Sequence, residues 1–290
     1  MLVTSATSRL GSRTALHLLR YGHVEVRALV RRASSPDAID LGRRGAYIVE
    51  ADPDDPLSLE AAFDNVAAVC CIHRPEGTED VDAQARFAMA IAGAARAAET
   101  PHFVYLSEAA AELPSDHPHL EARRRVEQAI RDLGLVATIL RPAPLYEQFD
   151  APWPARLVLM GALRSALGQG RALPMIAETD VAWFAARACE RPMALRGVSF
   201  EVAGDRLTVD EIAAAHKRAT GSSLRGLPLP GWLPRPIGSE MSGLIDWARS
   251  HAFGADVRML RRQHPNLLSL ERWFKRRADR ARSGAVQLAL

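Results

Sequence analysis

The sequence predicts an α/β fold built on a doubly wound parallel sheet, with a smaller, mostly helical C-terminal region. Three observations carry this. Short β-rich runs alternate with helical patterns through the first half, the central runs are apolar throughout, and the alternation stops near residue 147. Strands that alternate with helices pair in parallel through right-handed crossovers. Strands covered on both faces need no polar side.

The elements follow in order. Residues 2–6, "LVTSA", form the first strand, and 13–22, "RTALHLLRYG", a helix closed by Gly22. Residues 25–31, "EVRALVR", are the second strand. In 35–45, "SPDAIDLGRRG", Ser35 caps a helix with Pro36 in its first turn. Strand "AYIVEAD" (46–52) and helix "DPLSLEAAFDNV" (55–66) come next, then strand "AAVCCI" (67–72) and the alanine-rich helix 80–99. Strand "HFVYLS" (102–107), helix "HLEARRRVEQAIRDLG" (119–134) and strand "VATILRPAPLY" (136–146) complete the alternation. Residues 1–147 thus form a Rossmann-like core of the kind that binds dinucleotides, and 148–290 a C-terminal substrate or lid region.

The C-terminal region begins with "DAPWPARLVLMGAL" (150–163), whose two prolines and apolar residues predict an irregular lid leading into a helix. Residues 179–190 are helical and 198–204 a strand. The helix 208–221 opens on Thr208 with Glu211 three residues on, a capping box. Residues 227–238 read as a proline-rich connector. In 259–282, Leu267, Leu270, Trp273 and Phe274 recur at helical spacing, so this basic run predicts an amphipathic helix with a solvated face, not a nucleic-acid site.

Composition narrows the function. With 48% hydrophobic and 24% charged residues and a net charge of +3, the 290-residue chain is an ordinary globular protein. Cys70, Cys71 and Cys189 have neither disulfide nor zinc spacing and read as buried thiols, which makes a reducing cytoplasm the default. No charged segment precedes the first strand, so no signal peptide is expected. No apolar stretch reaches ~18 residues, so no membrane span is expected either. No metal-ligand cluster is expected.

The first strand, turn and helix have the layout of a pyrophosphate cradle. Such a cradle wants glycine for a tight turn, for backbone approach to phosphate, and for close helix packing. Here those places hold Ser5, Ser8 and Gly11. Positive φ without glycine costs about 1–2 kcal/mol, although a serine hydroxyl can donate to phosphate. Around this turn Thr7 and Leu10 complete the cradle. Arg31 and Arg32 end the second strand, where arginine suits the 2′-phosphate of NADP. Asp52 ends the third strand, within reach of adenine, and His73 with Arg74 follows the fourth.

Those residues carry a resemblance. "LVTSATSRLGSRTALHLLRYGHVEVRALVRR" and "GAYIVEADPDDPLSLEAAFDNVAAV" resemble the NmrA-like branch of the atypical short-chain dehydrogenases/reductases. The likeness continues through "FVYLSEAA", "RRVEQAIRDLGLVATILRP", "ETDVAWFAARA" and "HPNLLSLERWFKR". The resemblance implies a Rossmann core, a small C-terminal substrate region and NADP(H) as ligand. It also implies either reduction of small molecules or redox sensing without turnover. The chain departs from the family pattern at Ser5, at Ser8 and at Ala51, which replaces a glycine before Asp52. The family's lysine aligns with Arg123, four residues before Glu127, and the tyrosine of orthodox members with His119.

His119 and Arg123, at i and i+4, share one helix face. An imidazole can donate or accept protons at neutral pH, while a guanidinium can only bind an anion or stabilise an oxyanion. Glu108 is a second candidate acid or base. Ser107, Tyr146 and Trp153 are candidate substrate contacts, Ser107 and Tyr146 because they follow strands at the carboxyl edge and Trp153 because it lies in the apolar lid. Arg141, before Pro142, reads as structural. Three readings stay open: an NADP(H)-dependent reductase of a small, hydrophobic organic substrate; a cofactor-independent acid–base enzyme such as a cyclase, isomerase or lyase; and a non-catalytic NADP sensor.

Overall fold

The computed structural model describes residues 1–21, 24–73, 80–168, 170–226 and 254–283. The expected cap at Gly22, Arg74 and the connector at 227–238 lie outside these residues.

Strands β1 (Leu2–Val3), β2 (Arg27–Val30), β3 (Tyr47–Glu50), β4 (Val69–Cys71), β5 (Phe103–Leu106) and β6 (Ala137–Pro142) alternate with helices. The helices are α1 (Arg9–Tyr21), α2 (Pro36–Arg43), α3 (Pro56–Phe63), α4 (Val81–Ala97) and α5 (Pro118–Asp132). With β7 (Leu173–Met175) set aside, β8 (Ser199–Val202) completes a seven-stranded sheet of order β3-β2-β1-β4-β5-β6-β8. Neighbours pair in parallel, for example Leu2 with Arg27 and with Val69.

The order reverses direction between β1 and β4, the switch point at which such sheets take ligands beyond their carboxyl ends. Thr4 pins this point: its hydroxyl donates to the Ile72 carbonyl at 2.8 Å and accepts the Ile72 N–H at 2.9 Å. Strands β4 and β5 are buried at every residue, as their apolar runs require. Leu2, Phe63, Ile91, Phe103, Tyr105 and Val126 belong to the core that joins one face of the sheet to α3, α4 and α5.

The chain divides into two compact units, Met1–Arg141 with Val181–Phe200, and Pro142–Asp180 with the described residues from Glu201 on. The second unit holds a short 3₁₀ helix (Tyr146–Asp150), α6 (Trp153–Leu167), and β7 paired antiparallel with β9 (Asp205–Leu207). Helices α7 (Glu178–Glu190) and α8 (Pro192–Leu195) lead back to β8, and α9 (Val209–Thr220) follows β9. The capping box at Thr208 is formed in both directions, and Gly221 ends α9 in the left-handed conformation.

The late amphipathic stretch is two helices rather than one, α10 (Val257–Gln263) and α11 (Leu270–Arg282). Pro265 cannot continue a helix and forces the break. Leu267, Leu270, Trp273 and Phe274 are nonetheless all buried, so the apolar spacing did mark the packed face. Cys70, Cys71 and Cys189 are free and buried. Burial pushes the Cys71 thiol up to about 12. No helix among the described residues is long and apolar enough to cross a membrane.

Candidate functional site

The turn after β1 keeps the backbone of a glycine loop without most of its glycines. Ser5 stands at φ 45°, in the left-handed region that favours glycine. Its carbonyl accepts the Ser8 N–H at 2.9 Å. Gly11 is indispensable there: a Cβ on it would lie 2.1 Å from the Ser5 carbonyl oxygen. Ser8 caps α1, its Oγ accepting the Gly11 N–H at 3.1 Å and its carbonyl the Ser12 N–H at 2.8 Å. Thr7 and Ser8 are partly exposed, whereas Leu10 buries its side chain and offers the cradle only backbone. A helix N-terminus presents N–H groups and a partial positive charge, so this turn is chemically suited to a phosphate.

Arg31 and Arg32 follow β2 and are exposed. Asp52 follows β3 and is exposed too, with its N–H donating to Ser58 Oγ at 3.0 Å and its carboxylate accepting the Asp54 N–H at 3.0 Å. His73, two residues beyond β4, is buried with its ring tilted against Phe87, centroids 4.4 Å apart. These groups and the β1–α1 turn all stand at the carboxyl ends of β1, β2, β3 and β4, the edge that the strand order makes productive. The N-terminus of α1 at Ser8 and the exposed guanidiniums of Arg31 and Arg32 are chemically suited to anionic groups.

The carboxyl end of β5 brings a second group together. Glu108 Oε2 and His119 Nε2 lie 2.6 Å apart, the imidazole almost fully buried and the carboxylate about one-fifth exposed. Beside Glu108 the chain turns through Ala109, Ala110 and Ala111, all buried, with Ala110 at φ 77°. Strained backbone of this kind persists only where the surroundings over-determine it. One turn along α5 from His119, Arg123 is buried. Its guanidinium reaches the Tyr105 hydroxyl, the His73 carbonyl and Gln84 Oε1, each at 3.4 Å. Burial, the larger influence, pushes the Tyr105 phenol up to about 12 although Arg123 pulls the other way.

Ser107 is turned inward. Its hydroxyl donates to Glu127 Oε1 at 2.6 Å, and Glu127 also accepts from Arg141 Nε at 3.0 Å and Nη2 at 2.6 Å. Glu127 is wholly buried. This network behind β5 escaped the sequence reading, in which Glu127 served only to mark a segment. The i, i+4 spacing puts Glu127 on the same face of α5 as Arg123 but does not point to Ser107 or Arg141.

Tyr146 and Trp153 belong to the other unit. Tyr146 is buried, its hydroxyl 3.4 Å from the Leu268 carbonyl, and Trp153 is exposed at the start of α6. The neighbouring Glu147 accepts the Trp273 indole N–H at 3.2 Å and the Glu178 N–H at 3.0 Å. Burial foremost holds its carboxyl above the ordinary carboxylate range. Among the described residues no His, Cys, Asp or Glu group could hold a metal.

Residues 1–248 match the NmrA-like family along most of the chain. The chain belongs to that family. A (4-alkanoyl-5-oxo-2,5-dihydrofuran-3-yl)methyl phosphate reductase of Streptomyces griseus is 30% identical over 227 residues, 78% of this chain and 75% of that one. The triphenylmethane reductase of Citrobacter sp., solved with NADP(H), is 22% identical at a TM-score of 0.74, over 96% of this chain and 99% of that one. NmrA, a negative transcriptional regulator solved with NADP, is 15% identical at a TM-score of 0.73, over 100% of this chain and 98% of that one. At these identities the two structures bear on the fold. It is the same fold in a reductase and in a regulator, so activity has to be argued from the site.

Proposed function

We propose that this NmrA-like protein is an NADP(H)-dependent reductase of a small, hydrophobic organic substrate. The observation that carries the reading is the β1–α1 turn, where Ser5 holds the left-handed backbone of a glycine and Gly11 packs against its carbonyl. The curated reductase at 30% identity supports the same reading.

In this reading the turn residues Ser5, Thr7, Ser8 and Leu10 hold the pyrophosphate, Leu10 through backbone, and Gly11 serves the cradle by packing against the Ser5 carbonyl while its N–H goes to Ser8 Oγ. Arg31 and Arg32 take the 2′-phosphate, where a bidentate guanidinium suits the anion. Asp52 would receive the adenine, and His73 would line the same cofactor site. The bound cofactor supplies the hydride. His119 and Glu108 share a proton between Nε2 and Oε2, and the pair delivers it to the substrate oxygen. Arg123 keeps a buried positive charge near that oxygen, and Ser107 offers an oxygen whose own hydrogen is committed to Glu127. The apolar stretch 150–163 supports a hydrophobic substrate.

Titration with NADPH and NADH, followed by nicotinamide fluorescence, tests this. Saturation by NADPH at micromolar concentration is expected, with NADH weaker by roughly tenfold or more, the scale of one charge-assisted contact. Replacing Arg31 and Arg32 together with alanine should erase the preference. No saturation at millimolar nucleotide refutes the proposal.

The His119–Glu108 pair favours a second reading, because it needs no nucleotide to move a proton. A cofactor-independent isomerase, cyclase or lyase would keep full turnover in the Arg31→Ala, Arg32→Ala variant without added nucleotide. It would lose turnover in Glu108→Gln and His119→Ala.

A further inference from the structure

The segment that carries Glu108 is fastened on both sides of it, and both fastenings lead to one ion pair. Upstream, Ser107 gives its hydroxyl hydrogen to Glu127 Oε1 at 2.6 Å and its N–H to the Leu140 carbonyl at 2.8 Å. Downstream, Glu112 Oε2 lies 3.3 Å from Arg141 Nε. Arg141, near the carboxyl end of β6, grips the wholly buried Glu127 through Nε at 3.0 Å and Nη2 at 2.6 Å. A two-point grip on a carboxylate fixes orientation as well as distance. Arg131 also approaches Glu127 Oε2, at 3.6 Å, but it is exposed and its Nη2 is given to Gln128 at 3.2 Å.

Between the two fastenings the chain turns sharply. Ala109, Ala110 and Ala111 are fully buried, and Ala110 stands at φ 77°, a conformation that persists only where its surroundings enforce it. The turn is closed by the Ala111 N–H on the Glu108 carbonyl at 3.2 Å and the Leu113 N–H on the Ala110 carbonyl at 3.3 Å. A segment let go at Glu112 would relax this turn and move Glu108 with it. His119 stands on α5, the helix that carries Glu127 about two turns further along. One ion pair thus holds both members of the acid–base pair, α5 through Glu127 and the 107–112 segment through Ser107 and Glu112.

We propose that Arg141 is a positioning residue for the Glu108–His119 pair, acting through Glu127 and Glu112. The inference rests on the proton-moving role given to that pair above, and it applies with or without a nucleotide. A guanidinium suits the task because its rigid fork can serve two carboxylates at fixed angles, which an ammonium on a flexible stem cannot. The arginine that reads as structural in the sequence is on this account part of what sets the 2.6 Å between Nε2 and Oε2.

The proton between those two atoms is the readout, because a brace of the core alone would not move it. In nitrogen-15-labelled protein the His119 ring N–H should give a downfield resonance in slow exchange with water, lost in His119→Asn and shifted upfield in Glu108→Gln. Glu112→Gln keeps the side chain's size and leaves the buried Glu127–Arg141 pair intact. It should speed exchange of that proton about threefold, the scale of a partly exposed ion pair, and move the resonance upfield. Arg141→Lys keeps the charge, loses the fork and should speed exchange roughly tenfold. Arg141→Ala is avoided because it would take the bidentate partner from a buried carboxylate and endanger the fold. If exchange and resonance position stay as in the parent in both variants, with or without a lower melting temperature, Arg141 only braces the fold and the proposal is wrong. If Glu108→Gln leaves the resonance in place, the pair does not form, and the proposal falls with the acid–base role of the pair. The NADPH titration is independent of both results. Absence of nucleotide binding removes the reductase reading and leaves the positioning role, which the nucleotide-free reading shares.

Discussion

Ser5 and Gly11 show how one turn distributes its constraints between two residues. Ser5 holds a left-handed backbone at φ 45°, where its Cβ crowds the following carbonyl oxygen at a cost of about 1–2 kcal/mol. Gly11 has no such latitude, since the obstacle is backbone at 2.1 Å and backbone cannot rotate away. Gly11→Ala is therefore expected to destabilise the fold by about 3 kcal/mol, the upper end for overpacking. Ser5→Gly should instead gain about 0.5–1 kcal/mol, relief of strain less the entropy of an added glycine. Urea unfolding of the two variants checks the contrast; equal effects would mean the turn relaxes as a unit. The sequence made Gly11 legible as a close-packing glycine because glycine at the third loop place has one physical reason. It left Ser5 ambiguous, because φ is not written in a side chain. The Glu127 network was illegible for a related reason. Ser107, Glu127 and Arg141 are far apart in the chain, and only the register of β5, α5 and β6 brings them within hydrogen-bond distance.

Elements were legible in proportion to their length and to the chemistry at their ends. Helix α9 was readable down to its N-terminal cap, because Thr208 and Glu211 each satisfy a specific backbone need; Gly221 closes its other end in the left-handed conformation. Thr208→Ala should cost about 1 kcal/mol, the worth of an N-cap hydroxyl, and chemical denaturation measures it. Glu211→Gln keeps an acceptor for the Thr208 N–H and should cost less; the reverse ranking would show that charge, not capping, holds this end. The strands β7 and β9 were not foreseen. Each has three residues, too few for alternation to register, and β7 carries Pro174 at its centre. Their pairing is decided by long-range register between residues about thirty apart, such as Met175 with Asp205. The break between α10 and α11 was within reach of the sequence, since Pro265 stands in the middle of the basic stretch. The apolar spacing on both sides outweighed it.

The whole molecule carries buried titratable groups in both units, and these set how its stability responds to pH. His102 lies in the first unit, where Thr138 gives its hydroxyl hydrogen to the Leu195 carbonyl at 2.6 Å; Nε2 of His102, 3.2 Å from that hydroxyl oxygen, is then the donor to it. His216, in the second unit, is 3.0 Å from the Ser222 carbonyl through Nδ1. Burial is the main cause that lowers both imidazoles below their ordinary value of 6.5, with Arg196 beside His102 and Arg156 beside His216 acting in the same direction. Between the folded and unfolded values the unfolded chain binds more protons, so stability falls as pH drops through 6.5 toward the lowered folded values. Glu147 and Asp205 act oppositely. Burial raises both above their ordinary values of 4.5 and 3.8, so the folded state binds more protons in that window and gains stability as pH falls through the raised values. The two effects oppose each other wherever their windows overlap, and a parent profile alone cannot apportion them. The variant His102→Asn, His216→Asn isolates the histidine part. Its melting temperature should vary less than the parent's from pH 7.5 to 5.5, and whatever slope survives at lower pH should then shrink in Glu147→Gln. A double variant that loses stability on acidification as steeply as the parent would show that neither imidazole is the group whose protonation opposes folding, and would shift the cause to charge repulsion elsewhere in the chain.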